Sequence, residues 1–228
     1  MESSFSRGLS ERFLDLLRAE AAQGGWWRDV LADQSLIIAI RRECLDVYWQ
    51  GQSLFNVTLK GSGLIVTTHM KYLLDPGLGD RVRLVGGDFR IDELVRRAFL
   101  REYHSPSSLA KLKKSASYYG GDEKRGVHDI VLNNRNVIDV EIAFPGLYRL
   151  EDESEGDETR DPRIDVAALQ ADGDDIQLMF WEAKTYQNPA LRTSDIRKSV
   201  VRQVRIYEDC LKRNRQAILR AIDRSPGT

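Results

Sequence analysis

Two strand-like segments joined by a short turn constrain the fold of this chain more than any other feature. The segments are RIDVAAL, residues 163 to 169, and IQLMFWEAKTY, residues 176 to 186. Both are rich in apolar, β-branched or aromatic side chains, as strands are. The connection, QADGDD, holds an Asp-Gly pair that favours a tight turn between antiparallel strands. The sequence therefore predicts a β-hairpin, in which alternate residues of each strand leave the same face.

Three charged residues lie on this hairpin where a buried strand would not normally carry them. Glu182 and Lys184 are two residues apart inside the apolar run, so they leave the same face of the strand. Asp165 on the neighbouring strand is expected beside Glu182, because paired strands lie about 4.8 Å apart. Burying such charges costs free energy unless partners match them. The three residues therefore predict a functional site rather than an exposed row of ion pairs.

The chemistry of these side chains indicates a metal. Two adjacent carboxylates repel each other, and both stay ionised only when a cation lies between them. Carboxylate oxygens with no His or Cys nearby favour Mg2+ or Mn2+ over zinc. Lys184 would then reach the water on that metal, or the charge that grows on a phosphorane during phosphodiester cleavage.

The segments around the hairpin predict a helix, a three-stranded meander and a closing helix, in that order. GDEKRGVHDIVLNNRN favours the leading helix, and VIDVEIAF, residues 137 to 144, is expected to be the first strand. The closing helix is expected from 194 to 222, with Ser194 or Asp195 near its cap. A loop with the acidic stretch 151 to 161 connects the first two strands.

The first 105 residues predict a separate α+β portion. Helical spacing predicts a helix at 10 to 23, capped by Ser10, and a shorter helix over WWRDVLA. The four segments SLIIAIR, CLDVYWQG, SLFNVTLKG and LIVTTHMKYL predict an antiparallel meander. After them we expect a loop, a helix and a basic helix or linker: Pro76 to Gly87, 90 to 103, and 109 to 119.

Two motifs resemble those of one enzyme superfamily. RIDV followed by FWEAK, with Asp165, Glu182 and Lys184, resembles the Asp…(Asp/Glu)-X-Lys signature of the PD-(D/E)XK phosphodiesterases. QVRIY on the closing helix, with Gln203 and Tyr207 on one helical face, is similar to the Gln-x-x-x-Tyr motif of the RecB-like branch. The resemblance covers residues 119 to 213 and leaves residues 1 to 105 unexplained.

The resemblance implies an α/β fold with a restriction-endonuclease-like core. That core is a helix, a three-stranded meander and a helix, with a mixed sheet, preceded by the N-terminal α+β portion. Together with the separate N-terminal portion, this predicts two domains: residues 1–105, expected to recognise substrate or partner, and residues 106–228 as the nuclease core.

The resemblance also implies a role for each site residue. Asp165, Glu182 and the carbonyl of Ala183 would bind Mg2+ or Mn2+, and Lys184 would serve the nucleophile. Gln203 and Tyr207 would contact the nucleic acid. An accessory acid is expected at Glu123 on the leading helix, while His128 and Glu141 stay open as rivals for that place. No set of four cysteines is present, so an iron–sulfur cluster is not expected.

Charge and hydropathy limit the kinds of partner that the sequence predicts. The net charge of −1 disfavours a protein that coats nucleic acid indiscriminately. The stretch 151 to 161 holds seven acids and one Arg, whereas Arg192 to Arg224 holds ten bases and four acids.

No membrane-length apolar run and no signal peptide are visible, so we expect a cytoplasmic protein without membrane contact. Cys44 and Cys210 are expected to be buried free thiols.

The combined expectation is a metal-dependent nuclease that hydrolyses DNA phosphodiester bonds. Family analogy places such an enzyme in DNA repair or in defence against foreign DNA. Two alternatives stay open: a catalytically silent binding module that works through the N-terminal portion, and an endonuclease acting on RNA. The sequence leaves open whether ends or interiors, and single strands or duplexes, are cut.

Overall fold

Two compact units make up the chain. The computed structural model describes residues 7–73, 81–90, 100, 102–144 and 162–223. One unit, called here the N-terminal unit, spans Gly8–Leu132. The other, the C-terminal unit, comprises Asn133–Thr228 together with Met1–Arg7.

The N-terminal unit combines helices with an antiparallel sheet. The described strands are ordered β1-β2-β3-β4-β5-β6, and each pairs antiparallel with the next. The elements are α1 Glu11–Gln23, α2 Trp26–Ala32, β1 Ile37–Arg41, β2 Cys44–Trp49, β3 Gln52–Lys60, β4 Gly63–His69, β5 Arg81–Val85, β6 Asp88–Arg90, α3 Ser107–Ser117 and α4 Asp122–Asn133.

Local sequence accounts for several of these boundaries. Helix α1 begins after Ser10, whose hydroxyl accepts a hydrogen bond from the Phe13 amide at 3.4 Å. Strands β2 and β3 are joined by Gln50 and Gly51, both with positive φ (49° and 72°), which is the requirement of a tight hairpin turn. The predicted helices α1 and α2 and the antiparallel meander are confirmed.

The core of the N-terminal unit is apolar and aromatic. Side chains from both N-terminal helices, from the sheet and from α3 bury together there, including Phe13, Trp27, Phe55, Leu109 and Leu112. Full burial of a side chain of this size contributes about 1.5–3 kcal/mol. Helix α3 therefore belongs to this core.

Two predictions for the N-terminal unit are wrong and one lies outside the described residues. Residues 81–90, which the sequence assigns to a loop ending at Gly87 and to the start of a helix at Arg90, form β5 and β6, because Gly86 and Gly87 make the turn of a hairpin. The fourth predicted strand ends at His69 and continues as a 3-10 turn, Met70–Tyr72. Most of the predicted helix at 90 to 103 lies outside the described residues.

The compact units divide the chain at a different place from the domains expected from the sequence. The sequence places a boundary between residues 105 and 106, whereas the N-terminal unit continues to Leu132 and so includes α3. The division of recognition and catalysis between 1–105 and 106–228 stays a prediction.

The C-terminal unit holds the predicted meander and the closing helix. Its strands are ordered β7-β8-β9, and both neighbouring pairs are antiparallel. The turn between β8 and β9 contains Gly173 with φ 62°, so the predicted Asp-Gly hairpin is confirmed. The elements are β7 Val137–Ala143, β8 Arg163–Asp172, β9 Asp175–Trp181 and α5 Val200–Asp223, with 3-10 turns at Pro189–Leu191 and Ile196–Lys198.

Helix α5 closes the core of the C-terminal unit. Tyr207, Cys210 and Ile218 from this helix bury against sheet residues that include Ile164 and Ala167. Because Ile164 and Ala167 lie on β8, the central strand, α5 is held close to the hairpin that carries the charged residues.

Three expectations for the C-terminal unit need correction. In place of a mixed sheet, the described strands are all antiparallel. Helix α5 begins at Val200 rather than at 194, because the Ser199 hydroxyl accepts the Arg202 amide at 3.2 Å. Asp195 caps the 3-10 turn before it. The predicted loop at 151 to 161 lies outside the described residues.

The structure also tests the expectations of free thiols and of no membrane-spanning helix. Cys44 and Cys210 are free thiols, as predicted; Cys210 is buried, whereas Cys44 is only partly buried. None of the described helices combines the length and the apolar character that crossing a membrane requires.

Candidate active site

Strand β9 ends immediately before the predicted site. The sequence predicts a strand to residue 186, but the strand stops at Trp181. A carboxylate oxygen of Asp165 on β8 accepts a hydrogen bond from the Ala183 amide at 2.9 Å. The Ala183 N–H is therefore bonded to a side chain rather than to the backbone of the neighbouring strand, just beyond the end of β9. Glu182 and Lys184 consequently lie just past the strand, beside Asp165.

Strand register places three acidic residues at neighbouring positions across the meander. Val166 pairs with Trp181, so the next position of the register brings Asp165 opposite Glu182. On the other edge of β8, Val140 pairs with Val166 and Ile142 pairs with Ile164, so Glu141 lies opposite Asp165. We call Glu141, Asp165 and Glu182 the acidic row.

The charged groups of the site are largely shielded from water. Asp165 is 5% exposed, and the side chains of Glu182 and Lys184 are 7% and 12% exposed. The Lys184 ammonium donates a hydrogen bond to Oε1 of Glu182. Buried charges of this kind are costly unless matched by partners, so the arrangement is weak evidence for stability and stronger evidence for a site.

Helix α5 contributes the two motif residues to the same place. The Gln203 amide donates to Oε1 of Glu182 at 2.6 Å and to the Tyr207 hydroxyl at 2.5 Å. The Tyr207 hydroxyl in turn donates to the carbonyl of Arg163 at 2.6 Å. One helix face therefore fixes the Glu182 carboxylate and ties itself to β8.

The second oxygen of Glu182 has no hydrogen-bond partner among the described residues. Oε2 is buried, whereas Oε1 accepts hydrogen bonds from both Lys184 and Gln203. A buried acceptor without a partner costs about 1–3 kcal/mol. Such a group beside the Asp165 carboxylate is suited to accept a cation.

The environment shifts two pKa values in directions that follow from burial. Burial raises the pKa of Glu182, and the charge of Asp165 adds to the rise, while the hydrogen bond from Lys184 opposes it. Burial also raises the pKa of the Tyr207 hydroxyl, against the hydrogen bond from Gln203. The tyrosine is therefore a neutral donor at ordinary pH, and the Glu182 carboxylate gains from a nearby positive charge.

The residues fit a hard cation better than a transition metal. No group of three or more His, Cys, Asp or Glu side chains is placed to hold a metal ion within the described ranges. Asp165, Glu182 and the Ala183 carbonyl supply oxygens only, and Glu182 Oε2 is an acceptor without a partner. Mg2+ is commonly held by one or two carboxylates while keeping water or substrate oxygens as its other ligands, which suits this set.

Of the three candidates for the accessory acid, Glu141 is the one in the C-terminal unit, together with Asp165 and Glu182. It is buried, its φ is 51°, and its carboxylate lies 3.5 Å from the Arg163 guanidinium. A positive φ is unusual for a residue other than glycine and concentrates at functional sites. The alternation of polar and apolar residues in IDVEIAF already indicates this position, but not its strain.

The two candidates on α4 belong to the N-terminal unit. Glu123 lies in the first turn of that helix. His128 is buried there, where its Nδ1 accepts the Gln50 amide at 3.2 Å and its ring lies edge-on to Trp49. These contacts account for His128 as a packing residue of its own unit. An accessory role for either residue stays a prediction.

Comparison with family models, with curated proteins and with solved structures found no match to this chain.

Proposed function

We propose that the chain is a metal-dependent nuclease of the PD-(D/E)XK type that hydrolyses DNA phosphodiester bonds. The observation that supports this most is the buried Asp165–Glu182 pair, with Lys184 alongside and one Glu182 oxygen unpartnered. A metal is the simplest group that would satisfy that oxygen and allow both carboxylates to stay ionised.

Each residue has a distinct part in this proposal. Asp165, Glu182 and the Ala183 carbonyl would hold Mg2+ or Mn2+, which when bound lowers the pKa of a water and offsets phosphate charge. Lys184 would orient the attacking water or stabilise the negative charge of the transition state. The N-terminal unit would select the substrate or a protein partner.

Gln203 gains a role beyond the predicted contact with nucleic acid. Its amide bonds to both Glu182 and Tyr207, so it holds one carboxylate oxygen and leaves the other to the metal. We infer that Gln203 is a positioning residue for Glu182, and that Tyr207 anchors α5 to β8. Direct contact of either residue with the substrate stays a prediction.

One contact favours the alternative of a silent binding module. The Lys184 ammonium already has a carboxylate partner in Glu182, so the site can hold this ammonium without metal. In that case the N-terminal unit would be the working surface. Activity measurements separate the two proposals, because only a nuclease depends chemically on Lys184.

The deciding experiment measures cleavage of linear and circular DNA, single-stranded and duplex, in Mg2+, in Mn2+ and in EDTA. Glu182→Ala is compared with the wild type, and Glu208→Gln on the exposed side of α5 is the matched control. We expect metal-dependent cutting by the wild type and the control, but not by Glu182→Ala. Circular substrates distinguish attack on interiors from attack on ends.

A failure to cut DNA would distinguish between the two alternative functions. Cutting of RNA alone would support the RNA endonuclease. A folded wild type that cuts neither DNA nor RNA would favour the binding module. A role in DNA repair or in defence against foreign DNA is proposed by family analogy alone.

A further inference from the structure

The segment just after Lys184 presents an exposed aromatic ring stacked on a guanidinium. Tyr186 is 83% exposed. The Arg192 guanidinium carbon lies 4.3 Å from the centroid of its ring, which is the distance of a cation–π contact. An exposed tyrosine contributes little to a hydrophobic core, so packing does not explain its place here.

Backbone turns hold the two side chains together. The Thr185 carbonyl accepts the Asn188 amide at 2.9 Å, and the Asn188 side chain accepts the Ala190 amide at 3.0 Å. The Arg192 amide then donates to the Pro189 carbonyl at 3.0 Å. Because Pro189 also fixes its own φ, the turn brings Arg192 back to Tyr186 with few alternative conformations. The ring and the guanidinium are thus presented before any ligand arrives.

The pair lies close to the proposed reaction centre. Tyr186 follows Lys184 by two residues, so their Cα atoms are at most about 7 Å apart. A strand whose phosphate reaches Lys184 would therefore bring a neighbouring nucleotide to the Tyr186 ring. Both residues belong to the C-terminal unit.

Charge in the following stretch favours a polyanion. From residue 192 to residue 205 there are five bases and one acid. That acid, Asp195, is paired with the Arg197 guanidinium at 3.1 Å. Interleaved arginines and an exposed aromatic ring are the combination that binds single strands, in which bases stack on rings and cations track phosphates.

We infer that Tyr186 and Arg192 form a stacking platform for an unpaired base next to the scissile phosphate. The substrate is then single-stranded DNA, or a single-stranded end or flap, because bases inside a duplex have both faces covered by their neighbours. This inference rests on the proposed nuclease function for its substrate. The platform itself is a binding surface and can be tested without cleavage.

The test measures fluorescence anisotropy of a labelled mixed-sequence oligonucleotide, single-stranded or annealed to its complement, in EDTA so that nothing is cut. We expect Tyr186→Ala to weaken single-strand binding by roughly 5- to 150-fold. Tyr186→Phe should retain most of the affinity, since the ring remains. Arg192→Lys should weaken it less than Tyr186→Ala. Tyr118→Ala, an equally open tyrosine of the N-terminal unit at 78% exposure, is the matched control.

The outcomes separate this inference from the proposed function. Selective loss of single-strand binding in Tyr186→Ala, with duplex binding and the Tyr118→Ala control unchanged, supports the platform. Unchanged binding, or equal loss on single strand and duplex, overturns it. If the wild type cuts no DNA in Mg2+, the nuclease proposal fails, and the anisotropy series alone then decides the platform. If it cuts, Tyr186→Ala should raise KM on single strands far more than it lowers kcat.

Discussion

Each unit contains a partly or fully buried lysine–carboxylate pair, and the two pairs differ in how completely they are satisfied. In the N-terminal unit, the Lys113 ammonium donates to Asp33 and to the Ser35 hydroxyl, both at 2.7 Å, and lies 4.0 Å from the Trp49 ring centroid. In the C-terminal unit, Lys184 shares its carboxylate with Gln203 and leaves one oxygen of Glu182 unpartnered.

The pKa shifts of the two carboxyl groups run in opposite directions. Burial alone would raise the pKa of Asp33, but hydrogen bonds from Lys113 and Ser35 lower it. Burial dominates at Glu182 and raises its pKa, and the charge of Asp165 adds to the effect. The carboxylate of Asp33 is thus satisfied within the protein, whereas the Glu182 carboxylate would be stabilised further by a cation, as the proposed function requires.

Removal of each lysine should separate catalysis from stability, and this is the largest effect that we predict. If the proposed nuclease function holds, we expect Lys184→Ala to lower the rate of DNA cleavage in Mg2+ by about 100- to 10,000-fold, because a charge at the proposed reaction centre is lost. Lys113→Ala should retain near wild-type rates. Initial rates on a fluorescent substrate, with circular dichroism to verify folding, measure both. Equal losses in the two variants would contradict the distinction.

Mg2+ should stabilise the folded protein through Glu182 and not through Asp33. At Mg2+ concentrations of about 100 times Kd, we expect the wild type to gain about 2.7 kcal/mol of free energy of unfolding. Glu182→Gln should lose this gain, because the carboxylate that would bind the metal is gone. Asp33→Asn should keep the metal response. Thermal unfolding with and without Mg2+ tests this, and a full response in Glu182→Gln would exclude Glu182 as a ligand.

The satisfied pair should matter for stability. Lys113→Ala leaves Asp33 without its ammonium partner, and we expect the free energy of unfolding to fall by about 1–3 kcal/mol. Lys113→Arg should recover part of the loss, because it restores the charge near Trp49. Urea denaturation measures the difference. No change in Lys113→Ala would mean that solvent replaces the pair at no cost.

The smallest expected effect concerns His128, a buried imidazole whose neutral form the fold favours. Burial lowers the pKa of His128, and this effect outweighs an opposing backbone hydrogen bond with Ser35. The folded protein therefore binds this proton more weakly than the unfolded chain, so stability is full above about pH 6.5 and decreases as the pH falls from there through the lowered pKa. Denaturation midpoints between neutral and mildly acid pH should show this slope, and His128→Gln should flatten it. A slope that persists in the variant would assign it to other groups.

Much of the local structure could be predicted from the sequence because its causes are local. Ser10 caps α1, and the Asp-Gly pair before β9 sets the hairpin. The prediction failed where a distant group intervened. Asp165 accepts the Ala183 amide across the hairpin and ends β9, and no pattern within IQLMFWEAKTY signals that contact. The hairpin β5–β6 was missed for another reason, since its paired glycines also fit a loop.

The sequence alone determined which residue types alternate on each strand and which lie on one face of α5, because those periods are properties of the backbone. It therefore sufficed to place Asp165 beside Glu182, and Gln203 with Tyr207. Lys184 meets Glu182 beyond the end of β9, so strand alternation does not explain that contact. Only the tertiary structure decided that Gln203 bonds to Glu182, that Tyr207 bonds to the Arg163 carbonyl, and that Oε2 of Glu182 has no partner in the described chain. These contacts depend on how α5 packs on the meander, which joins groups far apart in sequence and is set by the shape of the whole core.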